Sequence, residues 1–234
     1  MPKPRATGAD RRAPVVLAFD TAASSCSVAV ARGEAVLAHE RVAMRYGHAE
    51  ALLPMIDRVT QAAGFVPAEI DVVAVSVGPG GFTGIRAGLA AAQGLALATQ
   101  ARLVGVTSFA AVAARVPPGD MPLLVALDSR REDLYVQFFD RAARPRGEPA
   151  AVLPQDLRNF AGHGRLRIAG DAAEAAAAAL ADGNDITVIT DCTPDALGVL
   201  AAMHRGDAGV ARALYLRPPD VSFPRPPLAV RGAR

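Results

Sequence analysis

The stretch "SVGPGGFTGIRAGLAAAQGLALA", Ser76 to Ala98, sets six glycines before and along a run of small apolar residues. Two phosphate chemistries use glycine in this way. A Walker phosphate loop needs Lys and then Ser or Thr directly after its last glycine, to reach the phosphates and magnesium. Here Gly84 is followed by Ile85 and Arg86, which excludes it. The dinucleotide fingerprint G-x-G-x-x-G would put its third glycine at Thr83, and no acid is placed downstream to hold a ribose. What is left is the ordinary capacity of any helix start to hold an anion on its free amides.

The spacing of the small residues says more. Gly84, Gly88, Ala92 and Ala96 lie four apart, on one ridge of a helix. Such a ridge is nearly smooth and lets another backbone come close, at roughly 1 kcal/mol of helix propensity per Gly relative to Ala. It either packs on the protein's own sheet or helices, or forms an interface with a second protein. In the second case Arg86 is placed to pair with an acidic partner, and Gly88→Leu would break the contact while sparing the fold.

The elements around this stretch alternate. "PVVLAFD" (Pro14–Asp20) reads as a buried strand. Strands over Ser25–Ala31 and Ala35–Val42 follow, turned at Gly33, where a positive φ is needed. Leu52, Ile56, Val59 and Ala63 recur at helical spacing before Gly64; Pro54 requires this helix to begin near Ala49 or to kink. Glu69–Gly78 and Arg102–Ser108 read as strands flanking a helix over Phe82–Thr99, a βαβ unit. The order β-β-β-α-β-α-β then partly repeats. Met121–Asp140 reads as two strands about the turn "SRRED", and a short helix starts at Pro154. "RLRIAG" reads as a strand, Asp171–Gly183 as a helix opened by an Asp-x-x-Glu capping box, and "ITVIT" and "TPDALGVLAAMHRG" as a last strand and helix. The halves divide near Val106–Ser108 or at Pro117-Pro118-Gly119, giving lobes over 15–107 and 108–216.

Hydrophobic residues make up 51% of the 234 and charged residues 21%, enough for a large core built from Val, Leu, Ile and Ala without any Trp. Residues 1–14 hold four cations against Asp10, and residues 217–234 hold four against Asp220. The formal charge of +2 therefore comes from the two ends and leaves an acidic body, which lacks the clustered cations of a nucleic-acid surface. Both ends read as solvated tails. Cys26 and Cys192 are too few and too far apart for a disulfide framework or a zinc cluster. With no secretory signal or bilayer-length apolar run in view, the expected setting is the reducing cytoplasm, without a membrane.

"LAFDTAASSCSVAV", "YGHAEALLPMID", the glycine stretch and "LYLRPPD" occur in an order that resembles the TsaB (YeaZ) family, over about Val15 to Asp220 and most closely in the first half. The resemblance implies an α/β fold of two lobes, of the actin-like and sugar-kinase ATPase type. It implies a non-catalytic subunit of the bacterial machinery that makes N6-threonylcarbamoyladenosine in tRNA beside the anticodon. It implies pairing with TsaD, or with a second copy, through the two helices of the first lobe. TsaE would join through that complex and tRNA would be met indirectly. Leu52, Ile56, Gly84, Arg86, Gly88 and Ala92 are then the expected partner-binding residues. TsaD holds its metal with two His spaced H-x-x-x-H; here His48 is followed four residues on by Leu52, so no catalytic or metal-binding residue is assigned and His48 is expected at the surface or the helix start.

"AFDTAASSCSVAV" also has the form of the first phosphate hairpin of actin-like ATPases, with Asp20 and Thr21 as the metal-water and phosphate contacts. "LDSRREDLYV" places Asp128 likewise in the second half. In an active ATPase two such acids face each other and orient magnesium, so ATP or ADP with magnesium at low affinity is the cofactor expectation. Only Gly170 serves the adenosine loop, and Asp20 is equally suited to cap its own hairpin. A self-standing actin-like ATPase or acyltransferase using Asp20 and Asp128 is thus the alternative to an adaptor. A secreted or membrane protease fits worse, lacking H-x-x-x-H and a signal.

Overall fold

The computed structural model describes residues 13–217; nearly all of both basic segments lies outside them. Two five-stranded sheets share one topology. The first has the order β3-β2-β1-β4-β5, built from β1 (Val15–Asp20), β2 (Ser25–Arg32), β3 (Ala35–Ala43), β4 (Val72–Ser76) and β5 (Arg102–Val106). The second has the order β8-β7-β6-β9-β10, from β6 (Leu123–Asp128), β7 (Leu134–Phe139), β8 (Pro145–Val152), β9 (Gly164–Ala169) and β10 (Asn184–Ile189). In each, an antiparallel meander forms one side, and the first strand pairs in parallel with the fourth. β1 and β4 are buried along their whole length, as "VVLAFD" and "VVAVS" demand of strands covered on both faces. The matched first strands, β1 and β6, both end on an aspartate, Asp20 and Asp128.

Among the described residues, six α-helices cover the sheets: α1 (His48–Ala62), α2 (Phe82–Thr99), α3 (Ser108–Arg115), α4 (Leu157–Ala161), α5 (Ala173–Leu180) and α6 (Ala196–His204). α1 and α2 cover one face of the first sheet. The last helix of each half is exchanged: α3 follows β5 yet packs on β6 and β7, and α6 packs back on β1, β2, β4 and β5. The two also pack against each other, and a Cβ added at Gly198 of α6 would meet the Ala111 carbonyl of α3 at 2.5 Å. Asp195 caps α6, accepting from the Gly198 amide at 2.8 Å, and pairs with Arg115 of α3 at 2.6 Å. Among the described residues, no helix is long and apolar enough to cross a membrane.

The meander, the βαβ unit and the positive φ at Gly33 stand where the sequence puts them. Two elements do not appear in that reading. α3, "SFAAVAAR", is eight residues long and buried from Ser108 to Ala113, too short a run to set a helical period. β8 holds Pro145, Gly147 and Pro149, which obscure any strand period; it is an edge strand, where proline is tolerated, and its register shifts opposite Val136/Phe138. α1 begins at His48, beside the Ala49 start that the sequence allows, with Pro54 in its second turn on the exposed side. One boundary moves. α5 starts at Ala173 with no side-chain cap, because the Asp171 carboxylate instead accepts the Asp128 amide at 3.0 Å.

Candidate functional site

The glycine stretch folds against the turn after β1. A Cβ at Gly80 would strike the Ala22 carbonyl, and one at Gly84 would strike the Thr21 carbonyl. One at Gly88 would meet Thr21 Oγ1 at 2.5 Å. Thr21 Oγ1 donates to the Gly84 carbonyl at 2.8 Å. Gly84, Ile85, Gly88 and Ala92 are the buried side of α2. Leu52 and Ile56 are buried too, in the core cluster of Met55, Val59 and β1.

The expected partner contacts Leu52, Ile56, Gly84, Gly88 and Ala92 are therefore corrected to interior residues. Four-residue spacing marks a smooth ridge but not the side it faces, and here the close backbone is the protein's own. Arg86 alone of that group is exposed, with its guanidinium 3.6 Å from the centre of the Phe82 ring. The other side of α2 is also smooth. Ala90, Gln93, Gly94, Leu97 and Ala98 are exposed; a Cβ at Gly94 would meet nothing within 4 Å, and Leu97 is 84% exposed. α1, packed beside α2, exposes Leu53 and Pro54. Helical period alone could have marked Gly94 and Leu97 as opposite the Gly84–Ala92 ridge.

The two aspartate turns meet through an arginine. Asp20 is fully buried and its Oδ1 accepts the Ala23 amide at 3.2 Å, an Asx-type cap on the hairpin. Burial pushes its carboxyl up to about 6; the Asp195 and Asp171 carboxylates add to this, and the Ser76 hydroxyl and the Ala23 amide oppose it. Oδ2 has no hydrogen bond of good geometry. Asp128 is exposed and accepts the Arg130 amide at 2.7 Å, which holds Arg130 in the left-handed region at φ 61°. From there Arg130 Nη2 donates across to the Ala23 carbonyl at 3.0 Å.

The gap between the turns is bordered by Asp128, Asp171 and Arg130, with a volume of about 10 Å³, room for about one water molecule. Asp20 lies beneath this lining rather than in it. Asp171, which the sequence assigns to a helix cap, is the acid that faces Asp128. His48 is at the helix start as expected, but buried, with Nε2 3.2 Å from the Ala23 carbonyl; burial lowers its pKa. Among the described residues, no three His, Cys, Asp or Glu side chains are grouped so as to hold a metal ion.

Two duplicated sheets, an acid-tipped hairpin on each and helices exchanged between them define the class of the actin-like and sugar-kinase ATPase fold. An activator of 2-hydroxyisocaproyl-CoA dehydratase from Clostridium difficile shares it, with TM-score 0.52 at 12% identity over 82% of this chain and 93% of that one. The chain belongs to the TsaD family, tRNA N6-adenosine threonylcarbamoyltransferase, whose model matches residues 39–189. Within that family its similarity runs to TsaB and YeaZ proteins. It is 35% identical over 128 residues to the tRNA threonylcarbamoyladenosine biosynthesis protein TsaB of Escherichia coli. That match covers 54% of this chain and 55% of the relative, so the chain spans about half the length of this curated protein. YeaZ from Pseudomonas aeruginosa superposes with TM-score 0.73 at 26% identity, over 87% of this chain and all of that one.

Proposed function

We propose that this protein is a non-catalytic subunit of the machinery that forms N6-threonylcarbamoyladenosine in tRNA, and that it holds the threonylcarbamoyltransferase subunit TsaD through the outward side of α1 and α2. The observation that carries the reading is the smooth, apolar, uncovered side of α2 around Gly94 and Leu97, in a chain of this family. A second helix pair can approach closely there, because Ala90, Gly94 and Ala98 raise no bulk. Leu97 and Leu53 supply apolar area that a partner would bury. Without TsaD the same face would pair with a second copy. TsaE and tRNA would be met through the complex, in the cytoplasm.

The test is light-scattering size-exclusion chromatography of the protein with TsaD from the same organism. The parent should give a one-to-one complex in place of a self-dimer. Leu97→Glu and Gly94→Leu should each remove the complex while leaving the melting temperature near the parent's. Complex formation at parental affinity by both variants would move the contact elsewhere.

A further inference from the structure

A second, larger space opens on the other side of Arg130. It is a cleft of about 350 Å³ between the glycine turn, the turn after β6, Tyr135 of β7 and the segment ending at Arg217. That is the lower end of the range for small-molecule pockets, and it lies between the two halves, where such pockets concentrate. Its walls are of two kinds. Phe82 and Tyr215 form a tilted pair with ring centres 5.2 Å apart, 37% and 41% exposed, and the half-buried Tyr135 stands on the same cleft. The Arg130 guanidinium lines the same cleft beside the Gly81 backbone, where a Cβ would meet Nη1 at 2.9 Å. Arg217 is taken up by the Asp133 carboxylate at 2.8 Å, whereas Arg130 donates to the Ala23 carbonyl and faces the glycine turn. α2 begins at the same wall with no side-chain cap and no acid in its first turn, while Arg86 adds a cation close by. Arg130 and the exposed surfaces of Tyr135 and Tyr215 therefore share one small cleft, while Phe82 is covered by Arg86; among the described residues no acidic side chain lines it.

We infer that this cleft is a binding site for a nucleoside monophosphate, with the phosphate on the Arg130 guanidinium beside Gly81 and the base against Tyr135 and Tyr215. With Nη2 held by the Ala23 carbonyl at 3.0 Å, Arg130 offers a phosphate its remaining N–H donors, and a flat base covers ring surface that is otherwise wet. Burial raises the Tyr135 pKa, so its hydroxyl keeps its proton and can donate to the ligand. The site adjoins the gap between Asp128 and Asp171, with Arg130 bordering both, and among the described residues no acid lines it to hold magnesium, so binding should be independent of that ion. It goes beyond the partner-binding reading and does not depend on it, because the isolated chain contains every wall named here.

The test is isothermal titration calorimetry of the isolated full chain with adenosine monophosphate, adenosine and inorganic phosphate, with and without magnesium. Saturable binding of the monophosphate is expected, tighter than about 1 mM, unchanged by magnesium, and at least about tenfold tighter than either fragment. Arg130→Asn keeps a residue that tolerates the left-handed backbone and should weaken binding about tenfold. Tyr215→Leu, on a different element, should weaken it severalfold, with thermal melts confirming that each variant is folded. No saturable binding by the folded parent overturns the site. So does parental affinity in both variants, or binding that appears only with magnesium.

Discussion

Thr21 and Gly84 hold each other on both sides: the Thr21 hydroxyl donates to the Gly84 carbonyl at 2.8 Å, and the Thr21 carbonyl fills the space that a Cβ at residue 84 would take. The turn after β1 and the first turn of α2 are thus in backbone contact, with glycine the one residue that fits. Gly84→Ala should destabilise the fold by about 1–3 kcal/mol, the ordinary cost of overpacking a closed site, and Gly88→Leu by at least as much, with Thr21 Oγ1 and Val75 in its way. Urea unfolding measures this directly. A parental midpoint for both would contradict the packing. The outcome also separates two readings of the ridge, since a partner surface would have tolerated Gly88→Leu.

Gly94 gives the opposite sign. It lies in the interior of α2 with open space where a Cβ would go, and its φ is not in the left-handed region. Gly94→Ala should stabilise the free protein by about 0.5–1 kcal/mol through helix propensity alone. If α2 docks another helix at this ridge, the same substitution should weaken that complex. A rise in unfolding midpoint together with a fall in TsaD affinity is the pattern expected. A rise in both would place the docking face away from Gly94.

Periodicity and turn chemistry made the meander, the βαβ unit and the aspartate-tipped hairpins legible, because each is written in local residue types: apolar runs, Gly33, the Gly78–Gly84 cluster. Orientation and exchange were not legible. Nothing local distinguishes the Gly84–Gly88–Ala92 side of α2 from the Ala90–Gly94–Ala98 side, since both are small. What decides is the Thr21 carbonyl, 63 residues away in sequence from Gly84. α3 was hidden for a different reason: its eight residues are too short a run to establish a helical period, and six of them are buried. Tyr215 and Arg130 each look like ordinary surface residues until the 209–216 segment returns along Gly105 and Val77 to close one cleft around both.

Asp20 makes stability depend on pH. The native carboxyl keeps its proton up to about pH 6, whereas an unfolded one releases it near 3.8. Between these values folding takes up a proton, so the contribution of Asp20 is most favourable below about 3.8, falls as pH rises through the window, and is gone above about 6. Asp20→Asn should therefore stabilise the protein at pH 7–8, by at most about 3 kcal/mol, and the difference from the parent should shrink towards pH 4. The difference is the quantity to follow. Asp171 is shifted the same way by burial, and His39 and His48, held below 6.5 by burial, lose stability as pH falls, so the parent's own curve mixes opposite slopes. Urea midpoints of both proteins across pH 4–8 decide it. A constant difference would show that the Asp20 carboxyl titrates in the folded protein as it does in the unfolded chain.

Asp195 joins the exchanged helices in a single side chain. Oδ1 accepts the Gly198 amide and caps α6, while Oδ2 takes the Arg115 guanidinium of α3 at 2.6 Å. The carboxylate is 3% exposed and Arg115 30%, so the pair is shielded on the acid's side only. The Ser27 hydroxyl accepts the Ala196 amide at 2.9 Å, bringing β2 into the same junction. Asp195→Ala removes a cap, typically worth about 1 kcal/mol, and a charge-assisted hydrogen bond worth about 1.5–3 kcal/mol. A loss of about 2–4 kcal/mol is expected. Asp195→Asn keeps an oxygen for the Gly198 amide and should recover most of the cap but not the charge, leaving about half of the loss. The helices belong to opposite sheets, so the cost should appear as one cooperative transition at a lower urea midpoint. If Asp195→Ala instead split unfolding into two transitions, the α3–α6 junction would be the main coupling between the halves, and Arg115→Ala should split it in the same way.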